Sequence, residues 1–360
     1  MYRRTRITSH ALGIGFALVA FAGDLAAQDQ AASPGITTTG FVDVYYSKNL
    51  GSPADNANPY RNFDLVQNRF DVSLAEIVFQ KTAAPIGFRI DADFGSANDL
   101  VQGGSTSTLA MLQQAYVTAV LPFGAGLTVD MGKFVTHMGY EVIESRDNWN
   151  YSRSFLFAWA IPYYHFGVRA AYPILPEVTL SGYLSNGWNN LQDNNQAKTV
   201  GASVFMTPSE KITVAAGWIG GNEQPDSARG GMRNVVDLTV VYRPTSTLSF
   251  AVNGDYGTES FAGASVSWKG VALYGRYAFS EATALALRTE VYDDTDGATT
   301  GTAMRLGELT ATFEHLLLGG VLLRAEFRHD WSTASVYAQT DGGTPLDHQS
   351  TLALGAVVSF

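Results

Sequence analysis

Phe88-Arg89-Ile90-Asp91-Ala92-Asp93-Phe94 alternates without a break: the even positions are apolar and the odd positions all carry a full charge. Period two marks a β-strand with one oily face and one polar face. The rhythm returns in Leu285-Ala286-Leu287-Arg288-Thr289-Glu290-Val291, and again where Arg324, Glu326, Arg328 and Asp330 alternate with Leu323, Ala325, Phe327 and His329. Residues 178–184, 212–218, 248–256 and 352–360 keep the same parity.

Composition narrows what such strands build. The 360 residues are 46% hydrophobic and 16% charged, with 36 glycines, 17 tyrosines and no cysteine. Charged residues are scarce beside the share of about 25% usual in soluble domains. A formal charge of -10 offers no footprint for nucleic acid. The lack of cysteine removes disulfides, thiolate metal sites and Cys nucleophiles. Arg3, Arg4 and Arg6 precede an apolar run from Ala11 to Ala22, so residues 1–27 read as a secretory leader cleaved after Ala27, with Ala22 as a second candidate. The remaining 333 residues carry 20 basic and 32 acidic side chains, a net of -12, and hold no apolar stretch long enough for a transmembrane helix.

Turn chemistry divides the connections into two kinds. Short ones at residues 81–86, 122–126, 173–177, 207–211, 243–247, 280–283 and 318–320 alternate with longer ones at 50–64, 96–109, 136–161, 188–197, 221–232, 258–263, 294–304 and 333–347. Fifteen connections predict about 16 strands, an even number, with about 21 residues per strand and connection, enough to cross hydrocarbon. The expected fold is all-β: a transmembrane antiparallel β-barrel over residues 37–360, preceded by a short periplasmic segment 28–36, with a long third extracellular loop. Lipid satisfies no backbone N–H or C=O, so closure is obligatory. Sixteen strands leave an aqueous bore unless something fills it. Tyr46, Tyr164, Tyr172, Trp218, Tyr242 and Tyr256 fall on outward faces near strand ends, as an interfacial belt requires. In one strand Phe70, Val72 and Leu74 run into Glu76 on the same parity, so a bulge is expected near Ala75 or Glu76.

The polar parity supplies the candidate pore-lining residues: Arg69, Asp71, Arg89, Asp91, Asp93, Arg169, Asp237, Arg276, Arg288, Glu290, Arg324, Glu326 and Arg328, with Glu308 and Glu314 among them. An arginine turned to lipid near the midplane would cost about 2–4 kcal/mol, so water is the expected neighbour. These charges either form a ladder for solute or neutralise one another and stiffen the wall. The candidate constriction is loop 136–161, where Glu141, Glu144, Arg146, Asp147 and Arg153 are set among Trp149, Tyr151, Phe155, Phe157 and Trp159. So aromatic a loop packs against something. It either folds inward with its charges facing the wall, or covers the rim or a neighbouring subunit.

Gly132-Lys133-Phe134-Val135-Thr136, Gly139-Tyr140-Glu141-Val142, Asn148-Trp149-Asn150-Tyr151-Ser152-Arg153-Ser154 and Pro162-Tyr163-Tyr164-His165-Phe166-Gly167-Val168-Arg169 resemble the OmpL-like β-barrel porins of Gram-negative outer membranes. Gly40-Phe41-Val42-Asp43-Val44-Tyr45-Tyr46 and Asn186-Gly187-Trp188-Asn189 are also similar, so the likeness covers residues 40–190. Beyond them it lies in strand rhythm and in the end, where Gly355, Val358 and Phe360 resemble the C-terminal recognition strand of outer-membrane barrels, although Ala353 departs from it. The resemblance implies an outer-membrane channel of porin type, and among sixteen-stranded porins a homotrimer is common.

The expected function is passive diffusion of small hydrophilic solutes or ions, with outer-membrane lipid as partner and no cofactor, metal or catalytic residue. Two alternatives stay open: a barrel hydrolase with its site at the junction of loop and lumen, or a closed receptor or structural barrel. His165 is the one histidine that could serve as a base, and hydrogen bonding to the inward loop is its expected role. No G-x-S-x-G or H-E-x-x-H occurs, and His137, His315, His329 and His348 show no metal spacing.

Overall fold

A computed structural model describes residues 35–227, 230–261, 263–339 and 343–360. The expected leader and residues 28–34 lie outside them. The strands are β1 (Thr37–Asn49), β2 (Arg69–Lys81), β3 (Ile86–Phe94), β4 (Leu112–Leu121), β5 (Leu127–Val135), β6 (Tyr164–Leu175), β7 (Val178–Ser185) and β8 (Thr199–Ser209). There follow β9 (Ile212–Asn222), β10 (Gly230–Tyr242), β11 (Leu248–Phe261), β12 (Ala264–Ala278), β13 (Thr283–Asp294), β14 (Met304–Leu316), β15 (Val321–Ser332) and β16 (His348–Ser359). A short helix, α1 (Ser96–Val101), lies between β3 and β4. Each strand pairs antiparallel with the next, and β16 returns to β1 from Phe41↔Ser359 to Asn49↔Thr351, so the sheet is a closed sixteen-stranded barrel.

The period-two pattern becomes two surfaces. Leu287, Val291, Leu309, Phe313, Phe327, Leu352 and Leu354 are exposed on the outside, while Arg288, Glu290, Glu308, Arg324, Glu326 and Arg328 on the alternate positions are buried inside. The oily surface continues around the barrel through Val117, Leu180, Leu238, Phe250 and Leu273, far beyond the few hundred Å² of apolar patch a soluble monomer exposes.

The expected bulge exists but sits at Ser73: Asp43 pairs with Leu74 and Val44 with Val72. Opposite, β3 ends at Phe94 against Ala75, so the bulge falls where β2 loses its second partner. The shift turns Glu76 inward, where it is 1% exposed. The expected long connection 258–263 is a tight hairpin, with β11 running to Phe261 and β12 starting at Ala264. Cross-strand contacts extend it: Glu259 faces Arg233 at 2.6 Å, and the indole of Trp268 lies across Gly257. Tyr164 is not part of an exposed belt. Its ring lies 4.1 Å beneath the Lys133 ammonium, which donates to Gln102 Oε1 and Leu112 O, and its hydroxyl donates to Asn189 O. Lys133 thereby escapes the outer surface despite standing on the parity of Met131.

Glycines opposite tryptophans recur, and one yields a test. A Cβ on Gly307 would stand 2.4 Å from the Trp331 ring that covers it from the neighbouring strand. Gly307→Val is expected to displace the indole and destabilise the barrel by about 1–3 kcal/mol, as overpacking does. The urea midpoint of the detergent-solubilised protein, followed by the gel shift between folded and heated forms, checks it.

Candidate functional site

The connection between β5 and β6 turns into the barrel. Its root is closed by Thr136 N–H donating to Tyr163 O at 2.9 Å. Gly139, at φ 89°, takes the chain around a bend where a Cβ would strike Ile161. The strap then crosses to the opposite wall, and almost every residue from Thr136 to Tyr163 is buried or half-buried.

Three acidic residues of the wall hold its backbone and hydroxyls. Glu326 accepts the N–H groups of Tyr151 and Ser152 at 2.6 and 3.0 Å. Glu290 accepts those of Phe155 and Leu156, the latter at 3.2 Å. Asp43 accepts from Ser145 Oγ at 2.6 Å and Tyr151 OH at 3.1 Å. Three arginines hold its carbonyls: Arg324 donates to Ser145 O and Asn148 O, Arg328 to Arg153 O, and Arg288 to Ser152 O. Charged partners make these hydrogen bonds roughly twice as strong as neutral ones. Small wall residues leave room, since a Cβ on Gly355 would meet the Tyr151 ring at 2.8 Å and one on Gly270 would meet Leu156 at 2.8 Å.

Side-chain charges join strap and wall at two places: Glu141 pairs with Arg288 at 2.6 Å, and Arg146 with Glu76 at 3.3 Å. Glu144 accepts from Gln113 at 2.5 Å, and Asp147 pairs with Arg146 at 3.2 Å. Arg153 makes no ion-pair contact with a wall carboxylate among the described residues. It donates to Val142, Ile143 and Tyr151 carbonyls of its own strap and stacks 4.6 Å over Phe63.

Several of the remaining inward charges form wall pairs. Arg89 and Asp91 lie 2.9 Å apart, Arg169 and Asp130 2.7 Å, and Arg276 pairs with Glu314. Asp93 faces Glu76 across β2 and β3. Asp237 accepts from Asn253, whose Oδ1 takes the Tyr140 N–H of the strap. Arg69 and Asp71, 3.8 Å apart, stand near the long-loop rim, with the Arg69 side chain well exposed.

A second loop locks the first. Arg61, between β1 and β2, pairs with Asp330 at 2.7 Å and Asp64 at 2.6 Å. Asn62 donates to Ala158 O and Tyr163 OH, and Phe63 packs against Phe157 and Tyr163. The only sequence signal for this lock was a charged, aromatic Arg61-Asn62-Phe63-Asp64 in an otherwise polar connection.

His165 packs against Phe134 and against His137 at the root of the strap by ring contact, not by a hydrogen bond to the loop. No carboxylate or hydroxyl reaches it among the described residues. Burial, then neighbouring His165, push the His137 imidazole down to about 3. The docked root therefore takes up fewer protons than an undocked one, and its stability falls as pH drops from about 6.5, the ordinary imidazole value, towards that lowered value. Acidification through this window should increase protease cleavage of the strap, and less so in His137→Asn.

A closed barrel with an oily outside, an inner face of ion pairs and a strap pinned across its bore defines a porin-type protein. The chain belongs to the beta-barrel porin-2, OmpL-like family, whose profile it matches over residues 35–360. Its fold is similar to that of an anion-selective porin from Comamonas acidovorans, with TM-score 0.64 and 10% identity over 91% of this chain and 99% of that one. It is also similar to the outer membrane channel DcaP of Acinetobacter baumannii, with TM-score 0.63 and 13% identity over 93% and 100%. The trimer form of the outer membrane protein OmpT of Vibrio cholerae gives TM-score 0.60 and 11% identity over 91% and 100%. No curated relative matches the chain.

Proposed function

We propose that the protein is an outer-membrane porin of a Gram-negative bacterium, through which small hydrophilic solutes or ions diffuse passively. The observation that carries this reading is the strap held across a sixteen-stranded bore by wall charges, because a fixed constriction filters by width and field without consuming energy. The unbroken oily exterior suits hydrocarbon, and loss of the leader 1–27 would precede insertion of a single barrel domain. No cofactor takes part and no group turns over a substrate. The trimer form of a structural neighbour supports a homotrimer here. Proteoliposomes containing the purified protein should swell in iso-osmotic sugars, faster for smaller sugars. Absence of swelling with the smallest sugar, together with hydrolysis of an ester or peptide, would replace the channel with a barrel enzyme.

A further inference from the structure

Resting on the channel reading above, we infer that the conduit favours small anions over cations, because guanidinium groups outnumber carboxylates among the charges its lumen leaves in contact with water. The chain as a whole is acidic, at -10, so the inference depends on where each sign of charge sits. Exposed carboxylates such as Asp55, Asp99, Asp226 and Asp296 lie in the long connections rather than on the strands. Inside, five arginine–carboxylate pairs share one orientation. In Arg89–Asp91, Arg146–Glu76, Arg169–Asp130, Arg233–Glu259 and Arg276–Glu314 the arginine side chain is 16–23% exposed, while the acid is at most 9% exposed; Arg146 also meets Asp147, the one partner more exposed than its arginine.

Side-chain length and stacking explain the asymmetry. Aspartate and glutamate end close to the sheet, whereas the guanidinium reaches over its partner towards the bore. Three of the five lie over aromatic rings: Arg146 over Phe41 at 4.2 Å, Arg169 over Phe134 at 4.8 Å and Arg233 over Trp188 at 4.8 Å. A stacked guanidinium keeps its edge donors free for an anion in the plane of the ring. Arg243 is partly exposed near the short-turn rim, and no carboxylate pairs with it among the described residues. Against these six arginines, the partly exposed acids of the inner face and strap are Asp71, Glu144 and Asp147. A permeating ion responds most strongly to charges within a Debye length of about 10 Å at 0.1 M salt, and among those the unshielded guanidinium edges come first.

The reversal potential of the wild-type protein in a planar bilayer under a KCl gradient decides the matter. The expected result is a shift towards the chloride equilibrium potential, with a chloride-to-potassium permeability ratio on the order of 10, the low end for a field focused between low-dielectric walls. Replacing Arg89, Arg169 and Arg276 together by Gln should bring the ratio towards unity, and replacing them by Lys should preserve it. A conducting channel whose reversal potential stays at zero or moves towards potassium overturns the anion preference and leaves the channel reading intact. A folded protein that produces no current overturns the channel reading itself.

Discussion

Replacing residues 140–158 with a short Gly-Ser linker is expected to raise the unitary conductance about threefold or more, since a sixteen-stranded barrel without a strap encloses an open aqueous bore. The segment removed includes the backbone held by Glu326, Glu290, Arg324, Arg328 and Arg288, and the aromatic groups that cover them. The β-ladder itself loses no pairing, because the strap lies between β5 and β6 and both ends remain tied by Val135↔Tyr164. Single-channel recordings before and after excision check the result. An unchanged conductance would mean that ions pass along a route the strap does not restrict.

The largest stability effect should come from Arg288→Ala. Arg288 is fully buried and serves wall and strap at once, holding Glu308 on the wall at 2.8 Å, Glu141 on the strap at 2.6 Å and the carbonyl of Ser152. Removing it leaves Glu141 with no ion-pair partner among the described residues, Glu308 with only the more distant Arg328 at 3.5 Å, and the Ser152 carbonyl without its donor, and breaking a buried pair in this way costs about 3–5 kcal/mol. The loss should be shared between the barrel's urea midpoint and the docking of the strap, so the midpoint should fall and protease should cut between residues 140 and 158. Arg288→Lys should rescue only part of the effect, because one ammonium cannot reproduce the planar fork that meets Glu308 and the strap together. Arg305→Ala is the matching control: its pair with Asp293 is solvent-exposed on the arginine side, and exposed pairs contribute about 0–1 kcal/mol.

Much of the architecture was legible because a strand reports its two environments in every second residue. Phe88–Phe94 and Leu285–Val291 read correctly from seven residues each, and alternating short and long connections gave the strand number. Local spacing failed where a distant chain segment decides. The parity break into Glu76 announced a bulge but not its place at Ser73, which depends on β3 ending opposite Ala75. The polar run after Thr258 looked like a loop because its stabilising partners, Arg233 and Trp268, stand on neighbouring strands. Tyr164 has the parity of an interfacial aromatic and is covered by Lys133 and residues from two loops.

The strap posed the same difficulty at larger scale. Its aromatic content showed that it must pack, but its composition could not show that the charges of β13–β15 would bind its backbone and be withdrawn from water. Arg288, Glu326 and Arg328 therefore act as anchors, whereas Arg89, Arg169 and Arg276 keep partial contact with the bore. Parity alone assigns both sets to one face and cannot divide them. The division follows from the path of a loop that begins more than a hundred residues away in sequence, helped by Gly270 and Gly355, whose bare Cα atoms allow it to approach.

Everything rests on which surface of the sheet meets hydrocarbon, and the cysteine-free chain makes that directly measurable. Nitroxide labels placed singly at Leu287, Leu309, Phe327 and Leu352 in lipid-reconstituted protein should collide freely with dissolved oxygen, which concentrates in the bilayer, and be shielded from a water-soluble nickel chelate. Labels at these four positions that were open to the chelate and screened from oxygen would place the oily face elsewhere, and neither a membrane barrel nor its channel would survive that result.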